Sequence, residues 1–193
     1  MQQKIKETLK ESVILKLQII DNEQLINEIV NISKELIYLF KKEQKVLFCG
    51  NGGSAADAQH LATELSGKFY LERAPLFAEA LHVNTSFLTA VGNDYAFDTV
   101  FSRAIEAKGR EGDALIAIST SGKSKNILKA IATAKEKNML TIGMTGEKGG
   151  KMEKLCDYLI KIPSKVTPRI QEAHILVGHI ICEMVEAELF GKS

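Results

Sequence analysis

Residues 46–64 read VLFCGNGGSAADAQHLATE: an apolar run feeds a glycine-rich turn, and the turn opens a helix that carries His60 and Glu64. The run predicts a buried strand over 46–49, and the residues behind the turn predict a helix over 54–66. At such a junction the loop N–H groups and the helix dipole favour an anion, most often phosphate.

The same rhythm continues outward. Residues 77–82 read as a second strand, 114–119 as a third, and 139–144 and 158–162 as two more, with a helix over 124–137. Helices are expected on either side of a turn at Gly92, Asn93 and Asp94. Strands and helices that keep alternating imply an α/β fold: a doubly wound three-layer sandwich with a mostly parallel sheet and ligands at the carboxyl ends of its strands. The strand-loop-helix unit recurs at 46–66, 114–137 and 139–155, which is ordinary for this architecture and not a true repeat.

Before the sheet, residues 4–42 have helical spacing, with Leu25, Ile29, Ile32, Leu36 and Leu39 three or four apart. Asp21 with Gln24 resembles a capping box and predicts a helical hairpin. The first helix places Ile5, Leu9, Val13, Ile14, Leu17, Ile19 and Ile20 on a stripe too wide for one contact face, so part of it is expected to pack on another subunit. At the far end Thr167 as N-cap and Pro168 at the first helical position predict a last helix running to about residue 189. The expected organisation is one unit over 1–193: helices in 1–44, an α/β core in 45–164 and a C-terminal helix in 167–190.

Composition narrows the function. Hydrophobic residues at 45% and charged ones at 25% are those of a globular protein and exclude a disordered one. A net charge of +1 argues against nucleic acid as a partner. Cys49, Cys156 and Cys182 are odd in number and widely spaced, which suits reduced cytoplasmic thiols better than a disulfide framework or a thiolate zinc site. Charges interrupt the N-terminal MQQKIKETLKES, and no apolar run approaches the ~18 residues of a membrane span, so no membrane partner is expected.

The residues from Gly50 to Ala55 also fit the G-x-G-x-x-A form of a dinucleotide fingerprint, for which Glu72 or Glu79 would be a loosely fitting ribose ligand. A plain turn, with Ser54 as N-cap and Asp57 completing a capping box, is the third reading. Residues 119–124, STSGKS, place three serines and a threonine at a helix start, where hydroxyls and free N–H groups suit one phosphate; a polar turn capped by Ser124 is the alternative. Two such loops in one sheet favour a phosphorylated small molecule. His60 and Glu64, four apart, share a helix face and suit a metal or acid–base role. On the last helix Gln171 and His179 are about 80° apart by the helical repeat. His82 and His174 have no partner in the sequence and are expected to be structural.

Three stretches, GNGGSAADAQHLATEL, AVGNDYAFDTVFSRAIEAKGREGDALIAISTSGKSKNILKAI and RIQEAHILVGHIICEMVE, resemble the sedoheptulose 7-phosphate (phosphoheptose) isomerases of the SIS fold, over nearly the whole chain to about Glu188. The resemblance implies conversion of D-sedoheptulose 7-phosphate to D-glycero-D-manno-heptose 7-phosphate, a first step toward activated heptose for lipopolysaccharide core, capsule or related glycans. It implies a cytoplasmic homotetramer with shared active sites and one zinc per subunit on His60, Glu64, Gln171 and His179. Ser119, Thr120, Ser121 and Ser124 would hold the phosphate, assisted by Ser54. Asn51, Gly52, Gly53, Asn93 and Asp94 would contact the sugar, with Glu64 as base and His179 as acid. Two positions depart from relatives: Pro168 stands where some have Asp, and Lys68 where some have Arg. The rival expectations are a non-catalytic SIS-fold protein that binds other proteins, as a regulator of replication initiation would, and another phosphosugar isomerase. The presence of all four ligands favours the enzyme.

Overall fold

Two helices precede the sheet, α1 (Gln2–Ile20) and α2 (Glu23–Lys41), in a computed structural model that describes residues 1–191. There follow β1 (Val46–Gly50), α3 (Gly53–Ser66), β2 (Ala78–Ala80), α4 (Thr85–Asp94), α5 (Val100–Lys108), β3 (Ala114–Ile118), α6 (Lys125–Glu136), β4 (Leu140–Gly146), β5 (Tyr158–Ile162) and α7 (Thr167–Phe190). Short 3-10 turns lie at Phe97–Thr99 and Gly150–Lys154. Residues 192 and 193 of the expected 1–193 unit lie outside the described residues.

The five strands form one sheet in the order β2-β1-β3-β4-β5, every neighbouring pair parallel. Alternate side chains leave opposite faces of a strand. Val46 and Phe48 of β1, with Ile116 and Ile118 of β3, therefore join a core with α1, α2, α3 and α7. Leu47 and Cys49, with Leu115 and Ala117, join a second core with α4, α5 and α6. Helices on both faces leave β1 and β3 buried along their whole length, which is why they read as unbroken apolar runs. The order reverses between β1 and β3, so the loops leaving these strands flank a topological switch point, where open α/β sheets bind ligands.

Several boundaries differ from the sequence expectation for local reasons. Asn22, not Asp21, caps α2: its Oδ1 accepts from the Leu25 N–H at 3.0 Å, the Asp21–Gln24 spacing moved on by one. Thr167 is the first residue of α7, and its N-cap is Val166 without a side-chain cap. Gly92, Asn93 and Asp94 are the last turn of α4 and not a free turn. The expected helix in 139–155 is only a 3-10 turn, because Gly149 and Gly150, at φ of 64° and 63°, cannot start a right-handed helix.

His174 on α7 is fully buried, its Nε2 3.1 Å from the Thr145 carbonyl oxygen of β4, and its Nδ1 has no partner among the described residues. That placement agrees with a structural role. Burial pushes the ring down from the ordinary 6.5 to about 4, against a smaller upward effect of the Thr145 bond. The folded protein thus holds His174 neutral where the unfolded chain would protonate it. Its contribution to stability is complete above pH 6.5 and is lost as pH falls toward 4, by about 3 kcal/mol at the lower end. Proton NMR should find the His174 ring resonances unshifted down to about pH 5; a titration midpoint at the ordinary value would contradict this account.

Candidate active site

Gly52, at φ of +56°, turns the chain from β1 directly into α3. It is the N-cap of α3 and offers no side-chain cap, so the expected Ser54–Asp57 capping box does not form. Ser54 is instead buried in the first turn of α3. Asp57 has a buried Oδ2 with no partner among the described residues. Burial raises its carboxyl above the usual carboxylate range, offset in part by His60.

Helix α7 packs along α3 through Gly178, where a Cβ would come within 2.5 Å of Leu61 Cδ1. This close approach sets the next residue, His179, against the two polar residues of α3. The His60 and His179 ring centroids are 5.0 Å apart, and His60 Nε2 lies 3.0 Å from Glu64 Oε1. One ligand atom from each of His60, Glu64 and His179 lies within 4.8 Å of the others. His179 Nε2 is buried without a hydrogen-bond partner among the described residues, a costly state for an imidazole nitrogen unless something absent from the protein satisfies it. Gln171, two turns earlier on α7, packs its amide on the Cα of Gly53, where any Cβ would overlap it.

These residues fit a divalent metal ion. Two imidazoles and a carboxylate make the three-protein-ligand set of open catalytic sites, and the N/O donors do not by themselves select one transition ion. Cys182 is not in this cluster; burial, then the nearby Glu64 charge, pushes its thiol up to about 12.

Across the switch point the loop after β3 brings three of the expected hydroxyls together. Ser119 Oγ lies 3.5 Å from Ser121 Oγ and 3.2 Å from Ser124 Oγ, and Ser121 Oγ accepts the Lys123 N–H at 3.2 Å. Ser124 occupies the N-cap position of α6 but makes no side-chain cap bond, its hydroxyl turned to Ser119. The first N–H groups of α6, Ile127 apart, have no side-chain acceptor among the described residues, a setting that suits an anion. Thr120 and Ser121, with Lys123 and Lys148, border a cleft of about 320 Å³.

Other expected residues stay apart. Asn93 donates to Asp94 Oδ1 at 2.9 Å on the exposed end of α4, and no hydrogen bond joins either to the two loops among the described residues. The acids a dinucleotide would need are engaged elsewhere: Glu79 with Lys108 of α5, and Glu72 with Lys68 on an exposed loop at 2.9 Å. Lys68 has no bond to the serine loop among the described residues.

Two constellations were missed from sequence. Glu186 on α7 accepts the N–H groups of Phe69, Tyr70 and Leu71 at 3.0, 2.7 and 2.9 Å and the Nε–H of Arg73 at 2.9 Å. Arg73 in turn donates to the carbonyls of Glu64, Leu65, Gly67 and Ala74. The pair closes the end of α3 and seats Phe69 beside the His179 ring, at 5.7 Å between centroids. The available signal was an acid at the i+4 position of a buried stripe, after Gly178 and Cys182. The second constellation joins Asn51 to Asn126 on α6; only the coincidence of two asparagines beside ligand loops hinted at it.

With this geometry in hand, likeness to known proteins becomes specific. The SIS domain family profile matches residues 12–146. Phosphoheptose isomerase 2 of Campylobacter jejuni is 54% identical over 188 residues, covering 97% of this chain and 94% of that protein. The phosphoheptose isomerase of Sulfurimonas denitrificans is 50% identical over 191 residues, 99% and 98% of the two chains. The solved structure of the phosphoheptose isomerase from Neisseria gonorrhoeae superposes with a TM-score of 0.91 at 41% identity, over 96% of this chain and 98% of that one. Together with the His60–Glu64–His179 cluster and the clustered serines after β3, these matches over nearly the whole chain leave one assignment: the protein belongs to the phosphoheptose isomerases of the SIS-domain family.

Proposed function

We propose that the chain isomerises D-sedoheptulose 7-phosphate to D-glycero-D-manno-heptose 7-phosphate through an enediol. The observation that carries this reading is the meeting of His60, Glu64 and His179 between α3 and α7, in a chain about half identical to phosphoheptose isomerases along its length.

Phosphate rests on Ser119, Thr120, Ser121 and Ser124, with Ser54 beside it, and the sugar lies against Asn51, Gly52 and Gly53, with Asn93 and Asp94 as its more distant contacts. Glu64 then takes the proton from C1. The C1–H electron pair becomes the C1–C2 double bond while His179 protonates the oxygen at C2. In the second half the C1 hydroxyl returns its proton to His179, C2 takes the proton from Glu64, and C1 is left as the aldehyde. Zinc held by His60, Glu64, Gln171 and His179 would supply Lewis-acid polarisation of the substrate oxygens. Reaction in deuterium oxide should place deuterium at C2 of the product in the measure that the proton on Glu64 exchanges with solvent before it returns; deuterium at C3, which this route never deprotonates, would contradict it.

No bond to phosphorus changes, so the serine loop acts by spending remote binding energy on alignment of the reacting carbons. Ser121→Ala and Ser124→Ala are expected to raise KM and lower kcat, each by enough to cut kcat/KM about 10- to 100-fold, the worth of a hydrogen bond to a charged group. Steady-state kinetics decides it; unchanged values in both variants mean that the loop has another role.

The same reading extends to assembly and location. On α1, Ile5, Leu9, Val13, Ile14, Leu17 and Ile20 are all more than half exposed, and residues of α1 and α2 with Leu176, Ile180 and Met184 of α7 line an apolar cleft of about 580 Å³. Such a surface supports a homotetramer whose active sites adjoin a neighbouring subunit. Free Cys49, Cys156 and Cys182 support the cytoplasm as its place, and no helix among the described residues is long and apolar enough to cross a membrane. The product would feed activated heptose for lipopolysaccharide core, capsule or a related glycan.

A further inference from the structure

Asn51 is the first residue beyond β1 and Asn126 the second residue of α6, and their carboxamides bond reciprocally. Asn51 Nδ2 donates to Asn126 Oδ1 at 2.9 Å, and Asn126 Nδ2 donates to Asn51 Oδ1 at 2.8 Å. An amide pair of this kind could in principle be turned over as a unit, exchanging all donors and acceptors. Here it cannot be, because Asn126 Oδ1 also accepts the backbone N–H of Ile127 at 3.0 Å. Flipping would set the Asn126 NH₂ against that N–H, donor against donor. Asn126 is 4% exposed, so no solvent competes for its amide.

The chain of constraints runs one way. A backbone N–H that cannot move fixes Asn126, and Asn126 fixes Asn51. Asn51 is left with one N–H and one lone pair of Oδ1 free, both of defined direction. The pair also ties the loop after β1 to the helix that begins at the serine loop, across the switch point and 75 positions apart in sequence. We infer that Asn126 is a positioning residue: it sets the orientation of the Asn51 carboxamide toward the sugar and holds the sugar loop at a fixed distance from the phosphate loop. This rests on the proposed isomerase reading for what Asn51 touches, and on the hydrogen bonds alone for what Asn126 does.

The two layers are tested together. In ¹⁵N-labelled protein the Asn51 side-chain NH₂ should show slowed hydrogen exchange, lost in Asn126→Ala while the backbone spectrum stays native. Kinetically, Asn126→Ala and Asn51→Ala should each lower kcat/KM for sedoheptulose 7-phosphate about 10- to 100-fold, the scale of a misplaced substrate contact. The double variant should fall no more than about twofold below Asn51→Ala, because coupled residues do not add. Asn126→Leu is nearly isosteric and has neither acceptor nor donor for Asn51, so it serves where the alanine variant is unstable and should likewise abolish the protection. Retained protection of the Asn51 NH₂ in these variants, or effects on kcat/KM that multiply in the double variant, would overturn the inference. An inactive wild-type protein would instead overturn the isomerase reading and leave the exchange result to decide the role of Asn126.

Discussion

Glu64→Gln is expected to lower kcat by about 10²- to 10⁴-fold, the usual worth of a general base, with little change in thermal stability. The substitution keeps the shape of a side chain that is 21% exposed and takes no part in a buried ion pair. It removes the carboxylate assigned as base from the His60–Glu64–His179 cluster while leaving His179 to serve the oxygen. Metal content, measured beside the kinetics, separates loss of the base from loss of a ligand: a variant that keeps its metal and loses turnover identifies the base. A variant within a few-fold of wild type would remove Glu64 from the chemistry.

Glu186→Ala should cost about 3–5 kcal/mol of folding stability, as expected when one partner of a buried ion pair is removed. Glu186 and Arg73 side chains are each 2% exposed. The alanine variant strands the guanidinium and leaves the N–H groups of Phe69, Tyr70 and Leu71 without their acceptor. Glutamine at 186 keeps acceptors for some of these and should lose less. Urea midpoints at pH 7 decide the matter, and a shift within that of ordinary surface substitutions would show the pair to be dispensable. The same site is sensitive to acid. Burial alone would raise the Glu186 carboxyl, but the N–H groups of Tyr70, Phe69 and Leu71 and the Arg73 guanidinium outweigh it and hold it below the usual carboxylate range. With the folded value depressed, its stabilisation is complete above the ordinary carboxylate value and is lost as pH falls through the lower, folded one.

Much of this was written in residues 46–64. An unbroken apolar run, a glycine turn and a helix gave β1, α3 and the position of His60 and Glu64, and repetition of the unit gave a parallel sheet. Strand order was not legible: β1 and β3 read alike, and only their adjacency turns two separate loops into one site. Caps moved by a residue where neighbouring polar side chains compete, as Asn22 displaced Asp21. Gly149 and Gly150 defeated the expected helix through backbone conformation, which periodicity does not sense. At the site, Asn51, the serines and the triad came from local pattern and resemblance, whereas Glu186, Arg73 and Asn126 act on residues 75 to 117 positions away and carry no local signature.

The most direct test is product formation from purified protein and sedoheptulose 7-phosphate, followed with and without a chelator. The account predicts conversion to D-glycero-D-manno-heptose 7-phosphate that the chelator suppresses and added zinc restores. No conversion under either condition would contradict it and favour a non-catalytic SIS protein.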